Sequence, residues 1–240
     1  MKRIISDDRV LVYKVECARF SYRLAERAWG RLTGSIETIR ELGELTDAFG
    51  LDVFFHAWSF VDFAARHFNA LTTIPGIDRK DIRYKNFAAK SKLLSGVRNY
   101  IQHVDQEAHK IRNDPVSPPI LGAMAWGAAD GATSFTIFLG TAPSDTAFYT
   151  ATYDVDTQHF LSGIFLSVGE LTIELKEIFA LCSAAARQLD EHLTATGLLG
   201  GEDVRLGKLY IPASGIPLDR LPEIPAGKRF ARIAAIVRGG

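Results

Sequence analysis

The chain has 240 residues, 47% hydrophobic and 23% charged, with 28 basic side chains balancing 28 acidic ones. Zero net charge argues against broad, nonspecific nucleic-acid binding, and the composition is that of an ordinary globular protein with one sizeable core or two small ones. Cys17 and Cys182 are too few for a disulfide framework or a zinc site, and no stretch reads as a signal peptide or membrane span. A cytoplasmic location, with both thiols free and buried, is the expectation.

The first helix is expected from Asp7 or Asp8 to Arg31, marked by Val10, Tyr13, Cys17, Phe20, Leu24 and Ala28 at mixed three- and four-residue spacing. Thr33-Gly34-Ser35 is expected to end it, with a shorter helical turn through Ile36–Leu45. A second helix, Leu51–Leu71, is apolar on more than half its circumference and should be central; Pro75-Gly76 closes it. Asp62 lies among Trp58, Phe60 and Phe63. If buried it needs a partner, and Arg98 is one candidate; otherwise it lies on the wet edge. His56 and His67 lack metal-ligand spacing and read as surface or packing residues.

From Arg79 to Arg112 there is no proline, and Leu93, Val97, Tyr100, Val104, Ala108 and Ile111 form one helical stripe, flanked by Leu94 and Ile101. Arg98 and His103 stand on this third helix, roughly 140° apart at 100° per residue. Between them run Ser95, Asn99, Gln102 and Gln106, a neutral hydrogen-bonding stripe suited to a partly buried polar groove or a subunit interface. An arginine offers a permanent planar cation for phosphate, and a histidine titrates near neutral pH. The segment carries nine Lys or Arg against three acids, which tilts it toward a phosphate partner. A second Arg-x-x-x-x-His, Arg187 to His192, encloses Asp190 and Glu191 and closes a helix, where basic groups favour the helix dipole; it is read as structural.

Short β-branched or aromatic runs follow at Ile120–Ala128, Thr133–Leu139, Thr146–Tyr153 and Gly163–Val168, separated by turn residues, and predict an antiparallel meander. Alternation of Phe135, Ile137 and Leu139 fits one face on a core. A last helix is expected at Leu171–Thr194, packing on the first three. The stretch from Gly197 to Gly240 has four of the nine prolines and reads as an extended arm. Residues 1–114 and 170–196 would thus make a helical bundle, 115–169 an inserted meander and 197–240 the arm, in an α+β fold.

Arg98-Asn99-Tyr100-Ile101-Gln102-His103 resembles the RxxxxH signature of the HEPN family, a compact bundle of four or five antiparallel helices with the motif helix in its core. The resemblance covers the bundle; the meander and the arm depart from the minimal family. It implies a homodimer whose composite cleft joins two arginines and two histidines, and an endoribonuclease that cuts RNA without a metal or cofactor. His103 would move the proton, Arg98 would hold the phosphate and Asn99 would position a phosphate oxygen or the imidazole, with Asp62 and Gln102 in support. By analogy a toxin or defence role, with an antitoxin or regulatory protein as partner, also follows. The alternative is a catalytically inactive HEPN-like dimeric module that binds RNA, nucleotide or a protein. No glycine-rich phosphate loop, Gly-x-Ser-x-Gly, HExxH or paired-cysteine site is present in the sequence.

Overall fold

Asp8 starts the first helix in the computed structural model: its carboxylate accepts from the amides of Val10 (2.9 Å) and Leu11 (3.1 Å), and α1 runs unbroken over Arg9–Leu42. Gly43, at φ 64°, ends it by donating its backbone N–H to the Ile39 carbonyl. The stop expected at Thr33-Gly34-Ser35 does not occur. Leu32, Ile36 and Ile39 continue the buried face past it. Each such side chain contributes roughly 1.5–3 kcal/mol on burial, which outweighs a helical glycine's cost of about 1 kcal/mol. Thr33 folds its hydroxyl back onto the Trp29 carbonyl, at 3.0 Å.

The structure describes residues 2–43, 46–106, 121–127, 134–139, 153–154, 159–160 and 163–203. Nearly all of these belong to one of two compact units, Lys2–Gly201; the other comprises Met1 and Glu202–Gly240. Within the first unit, α2 spans Asp47–Leu71 behind a Thr46 cap, α3 spans Ile82–Gln102 behind an Asp81 cap, and α4 spans Leu175–Ala195. Their contacts make an antiparallel four-helix ring. Trp29 and Tyr22 of α1 meet Phe60 and His67 of α2; Asp62 and Phe68 of α2 meet Arg98 and Phe87 of α3. Arg83 and Lys90 of α3 meet Glu191 and Glu177 of α4, which returns to α1 through Asp190–Arg19 and a Phe179–Trp29 stack. Thus α1 and α3 are diagonal.

Further helix boundaries differ from expectation; α2, expected from Leu51, starts at Asp47. The third helix, expected to reach Arg112, ends at Gln102; His103 leaves helical geometry at φ −124° and ψ 30°, and residues 104–106 are helical again. The last fully buried side chain of α3 is Val97; beyond it Tyr100 and Ile101 are only partly buried against the core, so the hold on the helix weakens. The last helix begins at Leu175, because Leu171–Glu174 pair as a strand instead.

That strand, β7, closes a four-stranded antiparallel sheet with β2 (Ala123–Gly127), β3 (Ser134–Phe138) and β6 (Ile164–Val168). The order is β3-β2-β6-β7, so the expected simple meander is replaced by a hairpin whose first strand also pairs with β6. The small pair β4 (Tyr153–Asp154) and β5 (His159–Phe160) forms a separate ribbon. β1 (Lys2–Ile4) pairs with β8 (Leu199–Asp203), whose residues up to Gly201 belong to this unit. Expectations for residues 107–120, for most of the Thr146–Tyr153 run and for the arm beyond Asp203 lie outside the described residues.

Ile137 is buried between exposed Thr136 and Phe138, the alternation expected for β3. Met124, Trp126, Leu166, Val168 and Ile173 join the same core as the helices. The strands are therefore an insertion in sequence but share the bundle's core. This is an α+β architecture, and among the described residues no helix is long and apolar enough to cross a membrane.

Candidate functional site

The site grows from Asp62, on the third-last turn of α2. One carboxylate oxygen accepts from Nε of Arg98 at 2.8 Å and from the Gln102 amide at 3.2 Å; the other accepts from Nε of Arg66 at 2.7 Å. Of the two alternatives the sequence left for Asp62, the partnered one is found, with the side chain still 27% exposed. Burial pushes its pKa up, but the hydrogen bonds from Arg66 and Arg98 outweigh that, and the carboxyl is held below its ordinary value. Asp62 is therefore a fixed anion joining α2 to α3.

Arg98 is engaged from one side only. Asp62 takes Nε, while the two terminal nitrogens have no hydrogen-bond partner among the described residues. The side chain is 24% exposed, so this fork reaches water. Asn99, Gln102 and His103 are exposed beside it on the last turn of α3. His103 caps the helix: its backbone N–H bonds to the carbonyls of Asn99 (3.0 Å) and Tyr100 (3.2 Å), and its ring lies on the surface. The 140° separation read from an ideal helix does not apply to it, because its backbone has left the helix.

Two close glycine contacts with the sheet position this end of α3. Gly169, at φ 55° in the β6–β7 turn, lies so close to Tyr100 that a Cβ there would stand 2.9 Å from the ring. On the same face of α3, Gly96 approaches Leu171, whose Cδ1 would be 3.1 Å from a Cβ. The sheet thus seats the motif turn, a role with no signal in the sequence. Arg66 was also missed, although its place four residues after Asp62 on one helix is a recognisable ion-pair spacing.

Much of the local positive charge is answered from other elements. Arg83 pairs with Asp81 and Glu191, both at 2.7 Å, and Lys90 pairs with Glu177 at 2.9 Å. Lys85 and Lys92 stay exposed, on the helix face that also carries Asn99. Among the described residues, the basic character expected of the segment is therefore a narrow strip rather than a broad surface.

The second Arg-x-x-x-x-His serves packing. Asp190 and Glu191 inside it bind Arg19 and Arg83, and His192 packs against Gly76. His67 is fully buried, its Nδ1–H donating to the Ala18 carbonyl at 2.9 Å. Cys182 is buried and its thiol pushed up by that burial, whereas Cys17, expected to be buried, lies half-exposed on α1. A cavity of about 460 Å³ lies between the start of α2 and β3, lined among others by Thr46, Leu51, Phe54 and Phe138, and includes no motif residue. Among the described residues, no three His, Cys, Asp or Glu side chains cluster as a metal site would require. No protein-family model, curated protein or solved structure matches the chain.

Proposed function

We propose that this chain is a HEPN-like endoribonuclease that cuts RNA by a metal-independent Arg/His mechanism, as a homodimer whose two α3 ends share one cleft. The observation that carries the reading is the one-sided hold on Arg98. Asp62 fixes the guanidinium through Nε and leaves the terminal fork for a phosphate, the bidentate geometry that arginine is suited to. An arginine engaged only for packing would bury that fork or pair it.

In this mechanism the 2′-hydroxyl oxygen attacks the adjacent phosphorus, and the bond from phosphorus to the 5′-oxygen breaks. One imidazole removes the 2′-hydroxyl proton and the imidazolium of the other copy protonates the leaving oxygen, so His103 and its counterpart exchange roles as base and acid. Arg98 offsets the charge that builds on the non-bridging oxygens. Asn99 and Gln102, exposed on the same turn, orient those oxygens, while Lys85 and Lys92 continue the contact along the strand. A cytoplasmic location and an antitoxin or regulatory partner belong to the same proposal.

The purified chain should cleave single-stranded RNA, leave 2′,3′-cyclic phosphate ends, spare DNA and retain activity in chelator. His103→Ala should lower the rate by about 10²–10⁴-fold, the usual worth of a general acid or base. Equal cleavage by this variant would sink the catalytic assignment. RNA binding without turnover by either protein would instead identify an inactive binding module.

A further inference from the structure

Of the apolar repeat that marks α1 in the sequence, Ala28 faces the core but the members from Val10 to Leu24 do not. Val10 is 61% exposed, Tyr13 69%, Phe20 39% and Leu24 43%, and Cys17 between them is half-exposed. The core side of the helix is formed instead by Val15, Ala18, Ala25, Ala28 and Leu32. Residues 10, 13, 17, 20 and 24 alternate by three and four, the spacing of a coiled-coil seam, over roughly 20 Å of helix. The bundle makes no use of this second stripe.

We infer that the stripe binds a second copy of itself, α1 against α1 in antiparallel order about a two-fold axis. Charge chooses both orientation and register. With Tyr13 opposite Leu24 and Cys17 opposite Phe20, each layer occurring twice, Glu16 of one copy flanks Arg23 of the other at both ends. Arg23 is exposed and, among the described residues, holds only its own Glu26, at 3.2 Å, so it can take a second carboxylate. Sliding one heptad one way sets Glu16 against Glu16 and Lys14 against Lys14; sliding the other way sets Arg23 against Arg23. Parallel pairing sets Arg9 beside Lys14. One arrangement is free of these repulsions.

This interface lies away from the candidate site, since α1 and α3 are diagonal in the bundle. It goes beyond the proposed ribonuclease and does not depend on it. A molecule with both faces would have two separate two-fold contacts and would assemble beyond the dimer.

Sedimentation velocity on the full 26.5 kDa chain tests the inference. Glu16→Arg and Phe20→Glu should each halve the wild-type mass, and Glu16→Arg with Arg23→Glu should restore it. Helical circular dichroism should be unchanged, because these side chains face outward. A wild-type mass of one chain, a mass indifferent to both single substitutions, or no recovery in the charge-exchanged variant would each overturn it. RNA cleavage follows Arg98 and His103 and should be unmoved by Glu16→Arg, so the substitutions separate the two proposals; a monomeric wild type that still cuts RNA would overturn the α1 pairing and the shared cleft but not the cleavage.

Discussion

Acid should loosen this fold through His67. Its ring is fully buried between Tyr22 and Phe87, at centroid distances of 5.6 and 5.9 Å, with Nδ1–H on the Ala18 carbonyl and Nε2 without a close hydrogen-bond partner among the described residues. Burial lowers its pKa from 6.5 to about 4, against the opposing pull of the Ala18 and Cys182 backbones. The folded value lies below the unfolded one, so between them the unfolded chain takes a proton that the folded chain refuses. Stability is then complete above pH 6.5 and falls as pH drops toward 4, by roughly 3 kcal/mol in all at 1.36 kcal/mol per unit. Asp62 and Asp81 are held below the ordinary carboxylate value, so their losses come mainly at still lower pH. Urea unfolding followed by tryptophan fluorescence at pH 7.5, 6.5, 5.5 and 4.5 (all about these values) gives the slope. His67→Phe keeps an aromatic ring and removes the proton site; it should flatten the dependence in that window. Wild type and variant losing stability in parallel from 6.5 to 4.5 would refute the reasoning.

Other tests concern the site and its supports. Asp62→Ala should cut kcat/KM for RNA about tenfold, equivalent to about 1.4 kcal/mol, by freeing Arg98. Combined with Arg98→Ala it should add little to the loss from Arg98→Ala alone; full additivity would show that Asp62 does not act through the guanidinium. Gly169→Ala forces a side chain onto a φ of 55° and against Tyr100, and should lower stability by about 1–3 kcal/mol in thermal melts. Removing the ring with Tyr100→Ala in the same chain should recover the steric part of that loss. Asp190→Asn should cost about 1 kcal/mol in urea titration. It leaves Arg19, nearly buried and bonded to the Lys2 carbonyl, without its ion pair, while Asp190 itself is largely exposed. An unchanged midpoint would mean that solvent already screens the pair.

The local alphabet set most of the elements. Apolar spacing marked four helices and the β2, β3 and β6 segments, the acids at Asp7 and Asp8 marked the start of α1, and the carboxylate of Asp62 among aromatic neighbours announced a need for a partner. Periodicity could locate α1 but not say which of its two apolar stripes faces inward. Nor could it carry α1 past Thr33-Gly34-Ser35, where burial of Leu32, Ile36 and Ile39 overrides a local stop. Leu171–Glu174 reads as the start of the last helix, and only pairing with β6 makes it a strand. The tertiary structure alone brought Arg98 of α3 to Asp62 of α2 and seated the motif turn on Gly169. Such juxtapositions join residues far apart in the chain, and their energy comes from contacts that no window of neighbouring residues contains.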